Sequence, residues 1–251
     1  YIDGKPTGRW NLVNNLRHAR GKYVAWLEGD DYWTSPNKHQ RQADFLDSHP
    51  GCALCFHAVE KYHEEGSQPG RLPGISRHKE IYTIEDLFKG NFIASCSAMW
   101  RNGLVREFPD WYFAVPMGDW PLHILNAQYG DIGYLDQSMA VHRVHGGGLW
   151  SSKTAVPQLR ARLSSLETLQ HHLGPQYHQK LDDALAQRHV RLVCALFREG
   201  DSRGAVEHAV EVLRGRTVPK GALVKAGGRL LYHDAGTLLK RTRQLLVWSE
   251  R

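Results

Sequence analysis

Residues Tyr23 to Trp33 read Tyr-Val-Ala-Trp-Leu-Glu-Gly-Asp-Asp-Tyr-Trp, a short apolar run that breaks directly into three acidic groups. Tyr23 to Leu27 offers aromatic and β-branched residues over too few positions for a helix, so the segment is predicted to be a strand covered on both faces. Glu28, Asp30 and Asp31 then fall at its carboxyl end. Open α/β sheets bind ligands outside the carboxyl ends of their strands, and hard oxygen ligands at such a crevice suit Mg2+ or Mn2+ carrying phosphates. Gly-Asp-Asp is equally ordinary turn chemistry, so taken alone the cluster leaves both readings open.

The flanks extend the pattern. Leu12, Leu16 and Ala19 are spaced for one buried helical face, with Gly21 as the stop. Downstream, Thr34-Ser35-Pro36 supplies a helix start, and the helix is predicted to run through Gln42 and Phe45 to Pro50. The stretch from Ala19-Arg20-Gly21-Lys22 through the acidic turn to Phe45-Leu46 resembles the sugar-nucleotide half of family 2 glycosyltransferases, which have the GT-A fold. An acidic cluster, an aromatic pair, a proline and a helix recur in register.

The resemblance implies an α/β fold, with a GT-A-like (Rossmann-like) mixed sheet flanked by helices, and an Asp-X-Asp-type site written here as Glu28-Gly29-Asp30. By that carry-over Asp30 is a metal ligand, while Glu28 and Asp31 serve the donor. Glu28 stands where Asp is commoner, and its extra methylene lets the carboxylate reach further. Family members open on a strand and a nucleotide-binding turn, whereas this chain begins at Tyr1 already inside a helix–strand unit. The expectation is therefore a fragment lacking its first nucleotide-binding βα units.

Asp119 heads the apolar run Leu122, Leu125 to Gly130 and reads as a helix N-cap. The resemblance adds a second role, the base that accepts the acceptor's proton, with Gly118 in place of the usual Glu. Trp120 beside it is a candidate acceptor platform, with core packing as the alternative. Asn91 to Arg101 is predicted to be a strand with small polar residues alternating, and the resemblance runs it under the donor sugar, making Ser97 a donor contact. Serine nucleophilic catalysis is excluded, because no Gly-X-Ser-X-Gly elbow is present.

His142 to His145 alternates as the end of a strand, with Arg143 and His145 sharing one face. His145 before Gly146-Gly147-Gly148 matches the family's Arg-X-His-Gly-Gly pattern. That match implies His145 as a second ligand to Mn2+ or Mg2+, Arg143 as a neutraliser of the leaving diphosphate, and a glycine loop able to close.

The glycines also mark a boundary. Residues 1–150 hold 15 Lys and Arg against 17 Asp and Glu, and residues 151–251 hold 17 against 9, so the basic excess is all in the tail. The tail pattern turns helical at Leu159, Leu163, Leu166 and Leu169. Val193 to Leu213, broken at Gly200-Asp201, reads as a hairpin similar to one tetratricopeptide unit. The predicted division is a catalytic domain over 1–150 and an α-helical region over 151–251. Lys220 to Arg251 alternates leucine pairs with basic residues, a pattern that fits peripheral contact with an anionic membrane as well as a solvated face. Nucleic acid is rejected as a partner because no aromatic-rich basic sheet or recognition helix accompanies the charge.

No apolar run approaches the ~20 residues needed to cross a bilayer. The four cysteines form no paired metal or disulfide set, which favours a reducing, cytoplasmic setting, extended to the inner face of the plasma membrane if the tail binds lipid. Together these readings predict metal-assisted, inverting transfer of a sugar from a nucleotide-diphosphate-sugar donor to a hydroxyl of a glycan, lipid-linked or other acceptor. The rival readings are a non-catalytic GT-A-like binding module, an inactive fragment, and a metal-dependent phosphatase or nucleotidyltransferase.

Overall fold

The computed structural model describes residues 8–64, 70–72, 79–148, 150 and 153–214, without the side chains of 211–214. Contacts divide the chain into two compact units, Tyr1–Ser152 and Lys153–Arg251. The first is mixed α/β. Its chain order is α1 (Gly8–His18), β1 (Tyr23–Ala25), β2 (Tyr32–Trp33), α2 (Lys38–Ser48), β3 (Cys52–His63), β4 (Gly70–Leu72), β5 (Ile81–Tyr82) and α3 (Ile84–Phe88). A 3-10 turn (Ser95–Ser97), β6 (Met99–Arg101), α4 (Asp110–Ala114), α5 (Asp119–Ala127) and β7 (Asp131–Val144) complete it.

The strands form a curled mixed sheet in the order β1-β6-β3-β7-β2, with β4 added to β3 and β5 to β7. β3 and β7 run parallel, and every other pairing is antiparallel. The first eight residues of β3 are all buried, and alternation begins only at Glu60. That is the pattern of a central strand covered on both faces at one end and half solvated at the other. Helix α2 lies close on the sheet because Gly133 of β7 leaves the space: a Cβ there would meet Phe45 Cε1 at 1.9 Å.

Four elements differ from expectation. β1 ends at Ala25, before Leu27, and is half-buried where a strand covered on both faces was predicted, with Leu27 exposed. α1 ends at His18 and buries Val13, not Leu12 or Leu16. α2 starts at Lys38 behind Asn37, two residues later than the proline signal placed it. Asn91 to Arg101 is a strand only over Met99–Arg101; Ser97 and Ala98 donate their amides to Ala94 and Ser95, which tightens the preceding residues into the 3-10 turn.

The second unit is helical over its described residues, with α6 (Ala155–His172), a 3-10 turn (Pro175–Tyr177), α7 (His178–Arg198) and α8 (Ser202–Arg214). Leu163, Leu166 and Leu169 of α6 and Leu181, Leu192 and Leu196 of α7 are buried. Gly200, at φ +84, ends α7 in the left-handed region that favours glycine. Asp201 then caps α8, accepting the Gly204 amide at 2.8 Å. Gly-Asp thus encodes this hairpin turn. The basic segment 220–251 lies outside the described residues. Among the described residues no helix is long and apolar enough to cross a membrane.

Candidate functional site

β1 stops at Ala25, and the chain turns through Glu28–Asp31, closed by the Asp31 amide on the Glu28 carbonyl at 3.2 Å. It re-enters the sheet as β2, where Tyr32 pairs with Val141 and Trp33 with Ala140. This antiparallel register sets Asp31 beside His142. The Asp31 carboxylate accepts the Arg143 amide at 3.0 Å and lies 3.1 Å from His142 Nδ1, and the buried Cys96 acts on it electrostatically. Burial pushes the Asp31 carboxyl up, but the bonds from His142 and the Arg143 amide, with the influence of Cys96, outweigh it and leave the group below its ordinary value. The same Asp31 bond raises the His142 imidazole against the opposing effect of burial.

Asp30, one residue back, points to the more open side, with its Oδ2 3.2 Å from His145 Nε2. Octahedral Mg2+ takes bonds of ~2.1 Å, so two adjacent ligands stand about 3 Å apart. The Asp30–His145 spacing fits that edge. Among the described residues no group of three or more His, Cys, Asp or Glu is arranged to hold a metal.

Glu28 is held up to about 7, first by burial and then by the negative charges of Asp119, Asp31 and Asp30, with His142 opposing. That shift puts the other three carboxylates within electrostatic reach of Glu28. Asp119 occupies the first position of α5, and Gly118 is the N-cap, with no side-chain capping bond. The Asp119 carboxylate instead accepts Asn91 Nδ2 at 2.6 Å, while Asn91 Oδ1 accepts the Ile93 amide at 3.2 Å and so fixes the orientation of the amide group. Arg9 lies close by: a Cβ on Gly118 would stand 3.5 Å from its Nε, and Asp119 acts electrostatically on it.

Several expected roles change. Trp120 is fully buried and donates its indole N–H to the Leu87 carbonyl at 2.8 Å, so it packs the core and shows no face to an acceptor. Ser97 is also fully buried, its hydroxyl spent on the Ala94 carbonyl at 2.7 Å within the 3-10 turn, which removes it from the donor. Asp31, with its side chain 1% exposed, braces the turn from inside and does not face a donor. The Arg143 guanidinium pairs with Glu64, and it is the Arg143 backbone amide that reaches the acidic turn.

His142, Asn91 and Cys96 are the participants that sequence reasoning missed. Strand alternation put His142 and His145 on opposite faces, but β7 ends at Val144, so His145 is no longer bound by the pleat and both imidazoles meet the turn. A cavity of about 610 Å3 lies at the other end of β1, lined among others by Arg17, Lys22, Trp100, Arg106 and Phe108; none of the acidic-turn residues lines it.

No protein-family model matches the chain. It is 37% identical over 142 residues to uncharacterized proteins of Mycobacterium bovis and of Mycobacterium tuberculosis, a match covering 57% of this chain and 40% of each relative. The chain thus aligns with less than half the length of the curated relatives it matches.

Proposed function

We propose that the acidic turn serves metal-assisted, inverting transfer of a sugar from a nucleotide-diphosphate-sugar to a hydroxyl acceptor, on a GT-A-like sheet. One observation carries the reading: the Asp30–His145 pair is 3.2 Å apart, and Asp30 and Asp119 both act electrostatically on the carboxyl of Glu28. A metal edge and a separate carboxylate base are the two elements that such a displacement needs.

Asp30 and His145 would hold Mn2+ or Mg2+, which when bound offsets the charge of a departing diphosphate. Asp119, oriented by Asn91, takes the proton of the acceptor hydroxyl as that oxygen bonds the anomeric carbon and the carbon–diphosphate bond breaks. The electron pair leaves on the diphosphate oxygen. His142 and the Arg143 amide hold Asp31, and so hold the adjacent Asp30, in place. A turn fixed in advance has less reorganisation left to do during reaction.

The test is Mn2+-dependent thermal stabilisation by UDP or GDP, followed by release of nucleoside diphosphate from sugar donors. Asp30→Ala is expected to abolish both. Retained stabilisation and turnover in that variant would remove Asp30 from the site. Release of inorganic phosphate or pyrophosphate would replace sugar transfer with hydrolysis or nucleotidyl transfer, and no response to nucleotide would leave a binding module.

A further inference from the structure

Lys38 is fully buried as the first residue of α2, a position that opposes a cation twice: by desolvation and by the positive end of the helix dipole. Among the described residues its partners are neutral. Its ammonium donates to Gln42 Oε1 at 2.7 Å and stands 4.5 Å from the centroid of the Trp33 ring. Replacing a buried charge by an apolar residue of similar volume is often neutral or stabilising, so fold stability is a poor account of this lysine.

Its partners lead elsewhere. Gln42 Nε2 donates to the Ser97 carbonyl at 2.8 Å, and Trp33 Nε1 donates to the Cys96 carbonyl at 2.9 Å. Lys38 bridges the two donors, so Lys38, Gln42, Ser97, Cys96 and Trp33 close a ring that grips the Ser95–Ser97 turn from α2 and from β2. A three-residue 3-10 turn has poor internal hydrogen-bond geometry and takes its position from such outside bonds. Trp33, bonded to the Cys96 carbonyl of that turn, stands in β2 two residues after Asp31, and Cys96 also acts electrostatically on the Asp31 carboxylate.

We propose that Lys38 and Gln42 are positioning residues for the acidic turn, acting through the Ser95–Ser97 turn and Trp33 of β2 on the adjacent Asp31. The importance of this for catalysis rests on the function proposed above; the mechanical coupling does not. Lys38 sets the Gln42 amide so that its N–H2 faces Ser97, and its charge over Trp33 holds the indole against Cys96. Both carbonyls stay bonded, and β2 stays fixed directly after Asp31.

The Arg143 amide, whose acceptor is the Asp31 carboxylate, reports this coupling through hydrogen exchange without any need for activity. In Lys38→Met its protection is expected to fall roughly tenfold beyond any change at the β3 amides of Phe56 and Val59, the scale of one lost hydrogen bond. Gln42→Glu keeps an acceptor for Lys38 but deletes the donor to Ser97, and is expected to reproduce the loss. Trp33→Phe keeps a ring over Lys38 and loses a single bond; it carries the test if Lys38→Met does not fold. Arg143 protection that merely tracks the β3 amides in these variants overturns the proposal. Affinity for Mn2+ and UDP or GDP, measured on the same proteins, separates the two claims. Loss of Arg143 protection in the variants, with a parent protein that itself binds no nucleotide, sustains the coupling and sinks the glycosyl-transfer reading. Nucleotide binding with Arg143 unchanged does the reverse.

Discussion

The two units of this chain treat buried polarity in opposite ways. Among the described residues the α/β unit buries Asp31, Lys38, Gln42, His57, Ser95, Ser97, His123 and Asn126, whereas the helical unit buries Ser165 and Arg188. Helices satisfy their own backbone, so α6, α7 and α8 need only leucine stripes to pack. The sheet of the first unit is stitched from strands as short as the two residues of β2, and its turns must borrow side-chain partners. Asp31, Trp33 and Gln42 supply them. The difference teaches that the interrupted strands create the need for buried polar groups, at the turns beside which the candidate site lies.

The sharpest way to break that comparison is Asp119→Asn, which keeps the shape and the Asn91 contact but removes the base. Turnover of donor and acceptor is expected to fall at least ~100-fold with little change in nucleotide affinity. An unchanged rate would leave Asp119 as a mere helix-end residue, no different in kind from those of the second unit.

Leu166→Ala probes the other side. Leu166 is fully buried in α6, and the truncation is expected to cost the helical unit about 2–5 kcal/mol in denaturant unfolding. Turnover measured well below the unfolding transition should stay as in the parent. A turnover loss comparable to that of Asp119→Asn would place chemistry in the helical unit.

Glu28→Gln has the smallest expected effect and an explicit sign. Glu28 is a carboxyl raised to about 7 in the fold from 4.5. Below about pH 4 both states hold the proton and the residue is neutral in effect. As pH rises through the unfolded value the unfolded chain releases its proton first, so the fold loses stability until the folded group ionises near pH 7. The glutamine variant escapes this loss. Metal-free Glu28→Gln should exceed the parent by about 1–2 kcal/mol above pH 7 and match it near pH 4. A difference independent of pH would mean that Glu28 ionises normally and that the carboxylates are not gathered.

Much of the candidate site was legible because it is local. Glu28, Asp30 and Asp31 stand at a strand end that the apolar run announces, and Asp119 heads a helix that its periodicity announces. Gly200-Asp201 likewise spells out the turn between α7 and α8. What was misread depends on contacts between distant residues. Trp120 and Ser97 look like binding groups beside an acidic residue or on a polar strand, and only the packed α3 and the 3-10 turn show them buried. His142 was assigned away from the turn by an alternation that holds inside β7 and fails one residue beyond its end.

The sequence by itself determined which residue types gather at each strand and helix end, since hydrophobic period and turn chemistry act over a few residues. The tertiary structure alone decided that Asp30 meets His145, that Asp31 is spent as a brace, and that Lys38 sits buried behind them. Those outcomes follow from the β2–β7 register and the seating of α2 on Gly133, which join positions as much as 115 residues apart. No local pattern carries such information, because the free energy of those contacts exists only once the sheet has closed.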